Sequence, residues 1–220
     1  MPEVRFCLFL ELRGGNRGHA SLLKIVGKQA GLARALAHTP ANAHDPFLND
    51  GAPPQLVLQL YSAQLARLES AAQAMRGGLA GATLTYEAMQ VRRFSVPDAK
   101  ISEQPWCTYL VAYQGPAKDP DAWRAHYLAH HPQLMAQLPG IRELEIYTPV
   151  DWAGTLPGER VRSLQRNKVA FDSPAALTAA LNSPEREAMR VDYAKFPPFS
   201  GRVTHFPMAT RRIPGSRDPS

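Results

Sequence analysis

The 220-residue chain is poor in the features that announce most chemistries. Its two cysteines, Cys7 and Cys107, form no CxxC pair and have no metal-ligand spacing around them, so they are expected to be small buried hydrophobes. No apolar run approaches the roughly 20 residues of a membrane span. The opening MPEVRFCLFLELRGG lacks the basic segment, apolar run and small-residue cleavage site of a secretory signal. A cytoplasmic location, away from membranes, is the expectation. There is no HExxH, Gly-rich phosphate loop, nucleophile elbow or Rossmann fingerprint, which argues against zinc hydrolases, nucleotide enzymes and elbow-type hydrolases.

Charge of one sign is also scarce in clusters. The formal net charge is +6, from 25 Lys and Arg against 19 Asp and Glu, yet the only adjacent arginine pairs noted are Arg92-Arg93 and Arg211-Arg212. A nucleic-acid footprint needs a contiguous basic face, so no such partner is expected. A mild positive field favours acidic small molecules instead.

What the chain does have is a repeat. Phe6-Cys7-Leu8-Phe9-Leu10 recurs as Trp106-Cys107-Thr108-Tyr109-Leu110, and Gly31-Leu32 leading to His38-Thr39-Pro40 recurs as Gly140-Ile141 leading to Tyr147-Thr148-Pro149. Tyr61-Ser62 answers Asp172-Ser173, and Met89 to Phe94 answers Met208 to Ile213. The offset grows along the chain, as it does when a second copy has longer loops. Two modules are therefore expected, 1–97 and 106–213, with a disordered tail over 214–220.

The second copy reads as strand, helix, strand, strand, helix, strand. A strand over 106–114 ends at Gly115-Pro116, and Asp119 caps a helix that Pro120 begins. Trp123, Tyr127, His131, Leu134 and Leu138 form one helical stripe. A strand follows over IRELEIYT, with Leu144 and Ile146 on one face and Glu143, Glu145 and Tyr147 on the other. A Pro- and Gly-rich loop leads to the strand around NKVAF. The helix after Pro174 is interrupted at Asn182-Ser183-Pro184, and a last strand covers about 202–212. The first copy repeats this order, with strands near 4–12, 32–39, 55–61 and 83–94 and helices near 19–30 and 63–76. Such a βαββαβ unit is a ferredoxin-like α+β module with a bare sheet face. Packing the two bare faces together buries both, as an eight-stranded barrel wrapped by helices and closed within one chain. A further homodimer through the outer helices remains open.

Residues 122–147, AWRAHYLAHHPQLMAQLPGIRELEIY, resemble the first helix and second strand of EthD-like proteins of the dimeric α+β barrel superfamily. Residues 169–196, ending in Asp192, Lys195 and Phe196, are similar to that family's third strand and second helix. The resemblance implies a ferredoxin-like fold paired into a barrel. It also implies a helix histidine eight residues before the Pro of Leu-Pro-Gly, which is His131; the family's Pro two residues after that histidine points instead to His130. His131 is preferred because it shares the stripe of Trp123 and Tyr127. Superfamily activities include lactone isomerisation, polyketide cyclisation, small monooxygenases and haem proteins, often in aromatic compound degradation.

Histidine suits proton transfer near neutral pH and needs no cofactor for it. The leading expectation is an isomerase-, cyclase- or dehydratase-like enzyme acting on a small cyclic or aromatic-derived molecule. His131 or His130 would be the acid/base, Tyr109 and Tyr147 hydroxyl donors beside it, and Trp123, Tyr127, Tyr113 and His38 binding residues. Tyr109, Tyr113 and Tyr147 are expected to converge on one face. A non-catalytic small-molecule-binding barrel and a haem- or oxygen-dependent monooxygenase are the alternatives. Pro132 should kink the helix and free the Leu128 carbonyl. Arg34 and His38 stand where the second copy has Glu143 and Tyr147, so Arg34 is expected to pair with a glutamate across a pseudo-two-fold axis. The first copy has Ser21 and Leu22 in place of the histidines, which leaves at most one complete site. Asp192 and His205 are further possibilities, Asp192 with a bland role as a solvated helix-end ion pair.

Overall fold

The two copies do fold as two βαββαβ units. The computed structural model describes residues 4–14, 19–47, 50–79, 83–100 and 105–215. The first half runs β1 (Phe6–Arg13), α1 (His19–Gly27), β2 (Arg34–Pro40), β3 (Leu56–Ser62), α2 (Leu65–Met75) and β4 (Thr83–Phe94). The second runs β5 (Trp106–Gln114), α3 (Pro120–Met135), β6 (Ile141–Pro149), a two-residue β7 (Glu159–Arg160), β8 (Gln165–Phe171), α4 (Pro174–Leu181), α5 (Pro184–Tyr193) and β9 (Arg202–Arg212). Residues 216–220 of the expected tail, like residues 101–104 of the inter-module link, lie outside the described residues; Pro214 and Gly215 form a turn.

Local chemistry explains the ends of the elements. Asp119 caps α3, its carboxylate accepting from the backbone N–H of Asp121 at 3.1 Å and Ala122 at 2.9 Å, and Pro120 supplies a preset φ at the first helical position. The helix then runs through Pro132 to Met135 without a break. Ser173 caps α4 through Ala176, whereas Ser183, at the start of α5, makes no side-chain cap bond. Gly31 and Gly140 hold equivalent turns into β2 and β6 at φ +83° and +74°, a backbone region that side chains with a Cβ disfavour.

Each half orders its strands as in a ferredoxin-like sheet, β4-β1-β3-β2 and β6-β8-β5-β9, all antiparallel. The halves join at two antiparallel seams: β2 pairs with β9 (His38 opposite Thr210) and β4 with β6 (Val91 opposite Tyr147). These seams close eight strands into a ring, which leaves no long edge to recruit another chain. β7 adds a short parallel pairing to β4. No described helix is long and apolar enough to cross a membrane.

The closed ring separates three apolar bodies. One lies under α1 and α2, one under α3, α4 and α5, and the third fills the barrel interior. Alternation along the strands decides membership, and it corrects the alignment of the cysteines. Cys7 lies in the interior with Phe9, while Cys107 lies under the helices with Tyr109. The residue of β5 on the same face as Cys7 is Thr108, because a slip of one residue turns a side chain to the other side of a sheet. Met89 and Met208 do share the interior. Both thiols are buried and unpaired, and burial raises Cys107 to about 12.

Candidate functional site

The barrel's second half carries a small cavity between its sheet and its helices. β5 turns Tyr109, Val111 and Tyr113 towards α3, and the α3 stripe of Trp123, Tyr127 and His131 faces them. Trp123 stacks on Tyr127 with ring centroids 5.4 Å apart, Tyr113 packs on both at 5.0 and 5.6 Å, and Tyr127 lies 5.2 Å from the His131 ring. Trp123 and Tyr127 are wholly buried; they pack on Tyr113 and are not among the residues that line the cavity. The cavity, about 30 Å³, is lined by Tyr109, Tyr113, His131, Asn167, Arg186 and His205 among apolar neighbours.

His131 is 3% exposed, and its Nδ1 is 2.8 Å from Asp192 Oδ2. The other oxygen of Asp192 is 3.4 Å from His126 Nε2. Asp192 is therefore not the solvated helix-end carboxylate expected from its position: α5 packs against α3 and buries it against the histidine. With Nδ1 given to the carboxylate, the proton sits there and Nε2 has no hydrogen-bond partner among the described residues. Burial lowers the His131 pKa below the usual histidine value, the Asp192 bond opposing it.

The first half contributes to this site through the loop between β2 and β3. Tyr109 donates its hydroxyl to Asp45 Oδ2 at 2.5 Å, and Arg186 Nη2 lies 3.6 Å from the same oxygen. Asp50 accepts from the backbone N–H of His205 and faces its Nδ1, both at 2.8 Å. Burial lowers the His205 pKa too, again against the pull of its carboxylate, and it raises that of Tyr109, with Asp45 reinforcing the rise. Thr178 Oγ1 accepts from the His44 N–H at 3.0 Å, and Arg190 lies over the Phe47 ring at 4.2 Å, tying the loop to α4 and α5. Asp45, Asp50, Asn167 and Arg186 were not among the expected site residues. Asp45 lies 64 residues from Tyr109 and Asp50 lies 155 from His205, separations that no local spacing signals.

The remaining candidates lie elsewhere. His130 is exposed, its ring 4.7 Å from that of His126. Tyr147 does not converge with Tyr109 and Tyr113: the alternation of β6 turns it into the barrel, where it meets the Phe9 ring edge-on at 4.8 Å. His38 is inside as well, bonded to Thr210 and Gln59 at 2.8 Å each, and burial lowers it to about 3. Beside them is a buried ion network. Arg34 donates to Glu143 at 2.6 Å and Glu145 at 2.7 Å, so the expected pairing across the pseudo-two-fold axis is present. Lys168 lies 2.8 Å from Glu145 and 2.9 Å from Glu143, and the hydroxyls of Tyr61 and Tyr147 both donate to Glu145. Glu145 is held well below the usual carboxylate range by Arg34 and Lys168, which outweigh the burial that raises it.

No group of three metal-ligating side chains occurs among the described residues. His131 Nε2 has the right chemistry for an axial ligand to haem iron, since a carboxylate on Nδ1 strengthens such a donor. The space does not fit: Tyr113, Met135, Leu177 and Met189 close over a cavity of about 30 Å³, far below a porphyrin. A larger groove, about 830 Å³, is an open surface feature at the β2–β9 seam lined by Leu23, Lys24, Lys28, Arg211 and Ile213. Its described lining has no histidine or carboxylate, so it offers no acid/base pair of that kind.

No family model and no curated protein matches the sequence. Solved structures do match over nearly the whole chain. A candidate monooxygenase from Fusobacterium nucleatum aligns with a TM-score of 0.63 at 8% identity, over 97% of this chain and 96% of its own. An anthrone oxidase-like protein aligns at 0.62 and 15% identity, over 99% and 96%. A chlorite dismutase from Candidatus Nitrospira defluvii aligns at 0.56 and 11%, over 93% and 91%. At such identities the likeness carries the architecture alone. The chain is a dimeric α+β barrel completed within one polypeptide.

Proposed function

We propose that the protein is a cofactor-independent enzyme of EthD-like type that moves a proton on a small cyclic or aromatic-derived molecule in the cavity beneath α3. The observation that carries this is the buried His131–Asp192 pair on the cavity wall, with Nε2 unpartnered. A neutral imidazole whose Nδ1–H is held by a carboxylate presents a lone pair at Nε2, the arrangement of a general base. In the proposed step Nε2 takes a proton from a C–H beside a carbonyl, and Tyr109 donates to the oxygen on which negative charge develops. The imidazolium so formed returns the proton at another carbon, which completes an isomerisation and restores the neutral His131. At about 30 Å³ the closed cavity admits no ring, so substrate binding requires Asp45 to withdraw from Tyr109 and Arg186.

The names of two structural neighbours, a monooxygenase and an anthrone oxidase-like protein, favour a second outcome from the same base, in which the deprotonated substrate goes on to react with dioxygen. Deuterium wash-in from D2O into anthrone and a panel of hydroxyaromatic ketones and lactones, read by NMR, tests the base. Exchange by the wild type and none by His131→Gln is the expected result; equal exchange by both disproves the role. An oxygen electrode run in parallel separates isomerisation from oxidation.

A further inference from the structure

We infer that the site takes a hydroxylated cyclic or aromatic carboxylic acid, and that Asp45 occupies the position of its carboxylate when the loop is closed. This rests on the cavity being the substrate site proposed above, and extends it to a substrate class. Two donors converge on Asp45 Oδ2: the Tyr109 hydroxyl at 2.5 Å and Arg186 Nη2 at 3.6 Å. The second distance is too long for a good hydrogen bond. Arg186 Nε is also buried with no hydrogen-bond partner, although a guanidinium meets a carboxylate best through two parallel N–H bonds. Asp45, tethered to its loop, therefore leaves the guanidinium only partly engaged, and a free carboxylate would take both its Nε–H and its Nη2–H, leaving the Tyr109 hydroxyl to the reacting oxygen.

A second orphan sets the hydroxyl. Asn167 donates its Nδ2 to the Tyr127 hydroxyl at 2.8 Å, but its Oδ1 is buried without a partner, and Asn167 lines the same cavity as Arg186. Buried acceptors are nearly always satisfied, so a ligand hydroxyl is the natural donor. Between these polar points the walls are Val111, Val169, Leu177 and Met189, apolar surface that a ring would meet once Asp45 has withdrawn.

Calorimetric titration with 3-hydroxybenzoate, benzoate and 3-hydroxybenzyl alcohol tests the assignment. Asp45→Asn should bind 3-hydroxybenzoate about tenfold more tightly than the wild type, with no gain for the neutral alcohol. Adding Arg186→Gln should abolish that gain, and adding Asn167→Leu should remove the preference for 3-hydroxybenzoate over benzoate. Asp45→Ser, which removes the same carboxylate with a smaller side chain, should behave as Asp45→Asn, so poor folding of one variant leaves the result readable. No gain in either variant, or a gain that survives Arg186→Gln, overturns the inference. Exchange that His131→Gln abolishes, with no affinity gain in Asp45→Asn or Asp45→Ser, overturns the ligand class alone, whereas the affinity gain without any exchange by the wild type overturns the base alone.

Discussion

Tyr109 and Asp45 share a hydrogen bond of 2.5 Å although they belong to opposite halves of the chain. The half that carries no helix histidine doublet still supplies two carboxylates, Asp45 and Asp50, to the Tyr109 and His205 side chains that line the cavity of the other half. The duplicated module is thus more than a scaffold that covers a bare sheet.

Removing one of those carboxylates should be visible in a histidine titration. The Asp50 bond raises the His205 pKa against burial, so Asp50→Ala should lower it further below the ordinary value. Imidazole chemical shifts followed against pH check this, and an unchanged or higher midpoint would sink the pairing.

Asp192 should act on the rate through His131. Asp192→Asn leaves the shape of the contact but favours the wrong tautomer, so proton exchange should fall on the order of 10²–10⁴-fold. In the wild type the exchange rate should hold down to a pH below the usual histidine range and fall as His131 protonates, because burial lowers its pKa. The measurement is the pH–rate profile of wild type and variant.

His38 should make the fold acid-sensitive. Its folded pKa is about 3 against 6.5 for the free group, so below pH 6.5 the unfolded chain binds a proton that the folded one refuses. Stability from this group is present above 6.5 and falls by about 1.4 kcal/mol per pH unit between 6.5 and 3. His38→Gln should flatten that part of the urea midpoint-versus-pH curve; parallel curves would contradict the assignment.

Glu145 carries the opposite sign. Its folded pKa is depressed, so its contribution is present above the unfolded value near 4.5 and is lost as pH falls through the folded one. Glu145→Gln leaves the buried Arg34 and Lys168 short of a counter-charge and should cost about 3–5 kcal/mol at neutral pH. Urea denaturation of both proteins should show the difference shrinking in acid.

Splitting the chain near Asp98 should expose two bare sheet faces and the unpaired edges of β2, β4, β6 and β9. The two halves, expressed apart, should associate when mixed and should not persist as folded monomers. Analytical ultracentrifugation of each half and of the mixture decides it.

Much of this molecule was legible in order of residues alone. Asp119 and Pro120 start α3, and the period of 3.6 through Trp123, Tyr127 and His131 assigns the buried stripe, both from interactions local in the chain. The repeat itself required the second bare face, and Arg34 opposite Glu143 followed from the pseudo-symmetry. The tertiary structure alone decided the rest. A single residue of register sends Cys7 into the barrel and Cys107 beneath the helices, and it removes Tyr147 from the company of Tyr109. Asp192 changed from solvated to buried because α5 packs on α3, and Asp45 and Asp50 reached Tyr109 and His205 because the ring closed. Spacing along a chain encodes which side of an element a residue takes; which partner waits on that side is set by closure of the barrel, between residues far apart in sequence.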